Sequence, residues 1–252
     1  MPRYMKIFSL LCLFIPGTIS LYAQRPDTLR RKDADNWEFI QVRSGGIVMT
    51  EGNRHQGVPE GVWTDFWDNG FPHRVISYRG GIKDGISFEV TRNGMTEVVE
   101  NYRNGKLEGP RRTYLPGSLL TEEVYYSEGK KNGIYIKKYT NGQKQEEGTY
   151  VNDERDGKTT WYYENGIKAA EYDYRKGEME GNVATYHKNG KVGEFGGYQN
   201  SKQTGIWKEY YESGKQKAEG KYLNGEKEGV WKQWDENGKE GKPVTYKKGK
   251  AK

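Results

Sequence analysis

Gly205-Ile206-Trp207-Lys208-Glu209-Tyr210-Tyr211-Glu212-Ser213-Gly214 runs on through Lys215-Gln216-Lys217-Ala218-Glu219-Gly220-Lys221-Tyr222 to Leu223-Asn224-Gly225-Glu226-Lys227-Glu228, and then the pattern starts again. Its leading glycine returns every 24 residues, at Gly61, Gly85, Gly109, Gly133, Gly157, Gly181, Gly205 and Gly229. A tyrosine follows each by 17, at Tyr78, Tyr102, Tyr126, Tyr150, Tyr174, Tyr198, Tyr222 and Tyr246. Eight copies without an insertion identify one supersecondary unit stacked into a linear array. Positions below are counted from the leading glycine as position 0.

A second mark falls nine residues after the first, in Asn69-Gly70, Asn93-Gly94, Asn141-Gly142, Asn165-Gly166, Asn189-Gly190, Ser213-Gly214 and Asn237-Gly238. Asn-Gly between aromatic or β-branched runs signals a hairpin whose two-residue type I′ turn wants positive φ at both positions. The third repeat departs from this with Pro116-Gly117-Ser118. Counting outward from a two-residue turn pairs Trp207 with Gly220, Tyr135 with Gly148, Trp161 with Ala170 and Thr159 with Tyr172. The other face then receives Arg112 with Glu123 and Lys208 with Glu219, cross-strand charge pairs each contributing a few tenths of a kcal/mol. A six-residue link such as Asn224 to Gly229 would set each periodic tyrosine opposite position 2 of the next repeat, Tyr198 with Trp207 and Tyr222 with Trp231. The expected fold is all-β: an elongated single-layer antiparallel sheet of tandem hairpins held by that tyrosine ladder. Sixteen strands at ~4.8 Å predict a sheet roughly 75 Å long and ~25 Å wide, with a right-handed twist.

Composition agrees. Only 33% of residues are hydrophobic and 20 of them are tyrosine, too few aliphatics for a conventional core, but each repeat needs to bury only one stripe. The 34 glycines are periodic, which argues against disorder despite 30% charged residues.

Residues 1–23 read as a secretory signal: Arg3 and Lys6, an apolar run from Ile7 to Ile15, and a cleavage site after Ala23. The run is too short for a spanning helix, which needs ~20 residues. Cleavage there predicts a secreted or periplasmic, cell-envelope location. It also removes Cys12, the only cysteine, and lowers the net charge from +6 to +4, with acids and bases interleaved, so nucleic acid is not an expected partner. Residues 24–36 form a charged, flexible leader, and 37–60 a degenerate capping repeat with Trp37, Gly46 and Gly57 in phase but Arg54 in the tyrosine slot. Residues 61–252 hold the eight repeats, the last ending in Pro243 and lysines that discourage edge pairing.

Trp161-Tyr162-Tyr163-Glu164-Asn165-Gly166 and the stretch from Gly205 to Gly214 resemble the bacterial second variant of the MORN repeat, over 61–252 and more loosely over 37–60. The resemblance implies a hairpin array with no catalytic residues. It also implies kinship with YwqK-type antitoxin-like proteins, and with arrays associated with protein contacts and membrane lipids.

The residues themselves point away from catalysis. His55, His73 and His187 fall at unrelated positions, which excludes a repeated metal-ligand set. Asp153-Glu154-Arg155-Asp156-Gly157 lacks the acidic spacing of a calcium loop and reads as a solvated turn. No serine stands in a nucleophile elbow and no glycine loop precedes a helix, so no enzyme activity and no cofactor are expected. The candidate site is aromatic: Phe66, Tyr114, Tyr162, Tyr186, Tyr210 and Trp234, all at position 5, lie on the face opposite the tyrosine ladder. One alternative is that they merely cover neighbouring lysine and glutamate stems; the other is a strip that binds a protein segment or glycan. The reading is a scaffold binding another protein through a sheet face, with a glycan, a membrane surface or an antitoxin-like role as alternatives. Oligomeric state is not set by the sequence.

Overall fold

The structure, a computed structural model, describes residues 27–252. The expected signal segment and its cleavage at Ala23 lie outside the described residues. Twenty-two strands form one open antiparallel sheet in sequential order. They are β1 (Asp27–Lys32), β2 (Trp37–Ser44), β3 (Ile47–His55), β4 (Val58–Phe66), β5 (Pro72–Arg79), β6 (Ile82–Val90), β7 (Thr96–Arg103), β8 (Lys106–Leu107), β9 (Gly109–Leu115), β10 (Leu119–Ser127) and β11 (Lys130–Lys138). The series continues with β12 (Lys144–Val151), β13 (Glu154–Arg155), β14 (Gly157–Tyr162), β15 (Lys168–Arg175), β16 (Glu178–Tyr186), β17 (Val192–Gln199), β18 (Lys202–Tyr210), β19 (Gln216–Leu223), β20 (Glu226–Gln233), β21 (Val244–Lys247) and β22 (Lys250–Ala251). The short β8 and β13 are the first residues of β9 and β14, cut off where Glu108 and Asp156 precede a periodic glycine, and each pair shares one neighbour.

Within each hairpin the expected register holds: Trp207 faces Gly220, Tyr135 faces Gly148, Trp161 faces Ala170, Thr159 faces Tyr172, and Arg112 faces Glu123. The turn that produces it differs from the expected one. Tyr211 N donates to Lys215 O at 2.9 Å and Gly214 N to Tyr211 O at 2.8 Å, which closes a three-residue loop. Only the glycine has positive φ, as at Gly142 (84°) and Gly190 (83°), so the turn is type I with a left-handed third residue rather than type I′. One extra loop residue would slip the register. A bulge at position 12, at His73, Glu97, Thr121, Gln145, Ala169, Gly193 and Lys217, takes up the slip. The third repeat keeps the same loop length but puts both Gly117 and Ser118 at positive φ.

The links between hairpins are where the type I′ turns lie. Gln199 faces Lys202 across Asn200 and Ser201 (φ 49° and 58°), and Leu223 faces Glu226 across Asn224 and Gly225 (54° and 88°). The six-residue loop expected there is absent, and Tyr198 and Tyr222 face Gln203 and Lys227 rather than Trp207 and Trp231. Pairing then breaks. Between Lys221–Glu228 and Glu219–Lys232, the three residues Gly229, Val230 and Trp231 stand against the single Gly220. The periodic glycine therefore does not close a loop; it sits in this kink with φ of 77° at Gly229 and 72° at Gly205, a conformation that other L-residues resist.

The kink lays the position-2 side chain over the strand behind it. Trp231 covers Gly220, Trp207 covers Gly196, Trp63 covers Gly52 and Thr159 covers Gly148, so a methyl on any of these glycines would collide with that side chain. Register matched Trp207 with Gly220, but the ring that occupies the space above Gly220 belongs to the next repeat. Each indole N–H finds a carbonyl: Trp63 at Asn53 (2.8 Å), Trp207 at Gly197 and Trp231 at Lys221 (both 3.2 Å). Edge-on tyrosines fill the gaps, with Tyr198 5.6 Å from Trp207, Tyr222 5.1 Å from Trp231 and Tyr246 6.3 Å from Trp231. The ladder exists, built by ring reach across the kink and not by strand pairing. It spans Tyr135 to Tyr246, with Arg155 bridging Tyr150, Trp161 and Tyr174 at 5.4–5.7 Å while paired to Glu146 at 2.5 Å. Earlier in the chain, Tyr78, Tyr102 and Tyr126 contact no other ring among the described residues; Lys83 lies 4.6 Å over Tyr102 instead.

Carboxylates at position −1 fasten the links. Glu60, Asp84, Glu108, Asp156, Glu180 and Glu228 accept the backbone N–H 20 residues later, at Gly80, Asn104, Glu128, Lys176, Asn200 and Lys248. Asp156, singled out earlier in a solvated turn, is one of them. At the N-terminal end, β2 and β3 form the degenerate hairpin, and Arg54 lies over the Trp63 ring at 5.7 Å where other repeats use tyrosine. Residues expected as a flexible leader include β1, which pairs with β2 along its whole length and moves the open edge of the sheet outward by one strand.

Gly220→Ala is expected to cost about 1–3 kcal/mol by overpacking. Gly229→Ala, which meets no neighbour within 4 Å, is expected to cost about 1–2 kcal/mol through its φ alone. In a Trp231→Ala background the first penalty should vanish and the second persist, read by urea unfolding of the strand signal. An unchanged Gly220→Ala penalty there would show that the ring is not its cause.

Candidate binding face

Alternation of side chains divides the sheet into two faces. One carries positions 2, 13, 15 and 17, and apart from Val90 and Thr160 it holds every buried side chain, including Trp231 (0% exposed), Val183 and Val124 (2%) and Trp207 (3%). The other carries positions 1, 3, 5, 14 and 16 and has no second layer against it.

Phe66, Tyr114, Tyr162, Tyr186, Tyr210 and Trp234 all lie on this second face, and all are half-buried. Two of them are anchored as well as displayed. The Tyr186 hydroxyl donates to Glu171 at 2.6 Å and the Tyr162 hydroxyl to Glu147, both carboxylates belonging to the preceding hairpin. Lys168 and Lys144 approach the same carboxylates at 2.7 and 2.5 Å. The hydrogen bond to Glu171, with burial second, raises the Tyr186 hydroxyl to about 12, and burial followed by the Glu147 bond pushes Tyr162 up. Burial acts to raise the Glu147 and Glu171 carboxyls, but the lysine and tyrosine hydrogen bonds outweigh it and hold both below the ordinary carboxylate value of 4.5. The expected Arg112–Glu123 and Lys208–Glu219 pairs close on the same face, the latter at 3.7 Å.

Two sets of residues were not foreseen. Position 1 supplies the more exposed apolar row: Val62, Ile86, Ile134, Ile206 and Val230 are between 52% and 57% exposed. A β-branched residue directly after the periodic glycine was the available signal. Position 6 stitches hairpins together: Trp67, Tyr139, Tyr163, His187 and Tyr211 each reach the carbonyl 23 residues later, at Val90, Tyr162, Tyr186, Tyr210 and Trp234, over 2.7–2.9 Å. The turn asparagines Asn69, Asn141 and Asn189 make the same reach to Arg92, Glu164 and Glu212.

Shallow grooves open beside two of the expected residues. Tyr210 joins Val192, Phe195 and Lys191 around about 540 Å³, and Phe66 joins Ile47, Val48 and Asp68 around about 460 Å³. The histidines act singly: His55 stacks on Trp37 at 4.7 Å, His73 lies 3.8 Å from Trp67, and His187 serves in the position-6 series. Among the described residues no cluster of three or more histidine, cysteine or acidic side chains could hold a metal ion.

Residues 131–152, 155–176, 203–224 and 227–239 match the MORN repeat variant, and the chain carries repeats of this kind across 131–239. Each match begins two residues before the periodic glycine, so its frame includes the cation or glutamine that faces the preceding tyrosine. No curated protein matches the chain.

The pH limits follow from these groups. Glu147 and Glu171 titrate below 4.5 in the folded sheet, so their contribution is complete above pH 4.5 and is lost as pH falls through their folded values. Tyr186, and Tyr102, raised by burial and then by its bond to Glu100, move from 10.0 to about 12; their contribution is complete below pH 10 and is lost as pH rises toward 12. The ring resonances of Tyr186 and Tyr102, followed residue by residue, should therefore titrate only together with loss of the strand signal. Ionisation of either ring near pH 10.0 with the sheet intact would contradict this.

Proposed function

We propose that the protein is a non-catalytic repeat scaffold, acting outside the cytoplasm after removal of residues 1–23, that binds another protein through the face opposite the aromatic ladder. The observation that carries this reading is the asymmetry of burial. The array already satisfies its own stability on one face, where indoles are nearly sealed from solvent, yet it repeats large aliphatics on the other at more than half exposure. Apolar rows of this kind, rimmed by charge, mark interaction surfaces. Over the first two repeats positions 1, 3, 5, 14 and 16 of the second face are uncharged, with Val62, Thr64, Phe66, Val75, Ile86 and Phe88 on adjacent strands and Arg79 and Arg103 at the strand ends. From Arg112 onward charge pairs interrupt it, which gives the surface a lengthwise pattern that a partner can read.

The test is capture from the outer cell fraction on immobilised protein, compared with sedimentation on purified wall polysaccharide. Retention of a protein partner that is lost in Ile86→Glu and Ile206→Glu variants, which keep the ladder intact, is the expected result. Sedimentation with polysaccharide that those changes abolish would instead establish a glycan binder.

A further inference from the structure

The two ends of the sheet are unequal. At the C-terminal end the sheet tapers through the four residues of β21, preceded by Pro243, to the two residues of β22. At the N-terminal end β1 runs for six residues in unbroken register with β2, from Asp27 opposite Arg43 to Lys32 opposite Glu38, without bulge or proline. All six residues of β1 are exposed. Asp33 N donates to Trp37 O at 3.0 Å, which fixes the alternation of the ladder beyond it. The backbone groups of Arg31, Leu29 and Asp27 turn toward β2, and those of Lys32, Arg30 and Thr28 turn outward. Among the described residues no strand lies against that outer side.

Charge restricts what can add there. Arg30, Arg31 and Lys32 are consecutive, and none of them makes an ion pair among the described residues. Nearby acids are few: Asp27 is at the far end of the strand, Glu38 stands across from Lys32, and Asp33 is engaged by the backbone N–H groups of Asp35 and Trp37. A second copy brings mainly more cations, three against the single Asp27 through its own β1, or Lys247, Lys248, Lys250 and Lys252 at the opposite edge. An acidic strand has the complementary charge.

We propose that β1 is a docking edge for an extended acidic segment of another protein, which adds as a further antiparallel strand. Backbone groups of Thr28, Arg30 and Lys32 supply the ladder bonds, and carboxylates opposite Arg30 and Lys32 on one face and Arg31 on the other select the partner. This edge is separate from the face proposed above and stands or falls independently of it.

Proline separates strand addition from simple charge attraction. Arg30→Pro deletes an outward donor while leaving every bond to β2, a change that edge strands tolerate, and Arg30→Ala deletes the charge alone. The probe is a short peptide of alternating glutamate and valine, with its lysine counterpart as control, titrated into the full chain by fluorescence anisotropy. The glutamate peptide should bind and the lysine peptide should not. Arg30→Ala should weaken binding severalfold in a salt-dependent way, and Arg30→Pro roughly tenfold further through the unpaired carbonyl left on the peptide. Amide exchange at Thr28, Arg30 and Lys32 should slow in the complex. If β2 loses its exchange protection in Arg30→Pro, Thr28→Pro provides the same test at the next outward position. Equal affinities of the proline and alanine variants, or no binding of the glutamate peptide, would overturn the proposal.

Discussion

A sheet with only one layer has nothing to pack against, and the ring-over-glycine contact is how this chain builds a core regardless. A large side chain leans back over the preceding strand, and only a residue without a Cβ leaves room for it. Gly52, Gly196 and Gly220 are vacant where an indole lies, and Gly148 where Thr159 lies. Burial thus runs along the sheet, from repeat to repeat, instead of across it. The kink at the periodic glycine, the position-12 bulge and the tight I′ link all serve to hold the ring at that distance. Where Ser87 replaces the ring in the second repeat, the tyrosines beside it lack ring partners.

Much of this was legible in the sequence, because spacing alone carries register. Pairing of Trp161 with Ala170 and of Arg112 with Glu123 follows from a pattern of size and charge that a slipped strand would scramble. The turns were not legible, for a specific reason. Asn-Gly can close either a type I′ turn or a type I turn ending in a left-handed glycine, and the bulge at position 12 makes the two registers identical further down the strands. The glycine at position 20, in Gly81, Gly105, Gly129, Gly177, Gly225 and Gly249, was the sign of the true I′ turns. The expected six-residue link overlooked it.

The candidate face was half legible. Position 5 lies opposite the ladder by simple alternation, but the Tyr162 and Tyr186 hydroxyls are committed to Glu147 and Glu171, because a tyrosine on a pleated surface reaches the neighbouring strand's side chains. The aliphatic row at position 1 is more exposed, and strand propensity disguised it: Val and Ile are what a strand would contain in any case. Exposure, not residue type, distinguishes the two rows. Together they leave a surface with anchored aromatics in its interior and free aliphatics nearer the links.

The side-chain hydrogen bonds that tie positions −1, 6 and 8 to the backbone of the next link or hairpin all run in one direction along the chain. Glu60, Trp67 and Asn69 reach forward to backbone groups at Gly80, Val90 and Arg92, 20 or 23 residues later, and the same holds down the array. The molecule therefore has a grammar of succession: each repeat is finished by the one that follows it. A chain emerging from its N-terminus completes each hairpin one repeat in arrears, and a whole unit of 24 residues can be gained or lost without reversing these forward bonds. What such a change must satisfy is the junction, where a ring has to meet a glycine again: loss of 181–204 would set Trp207 over Tyr172 in place of Gly196.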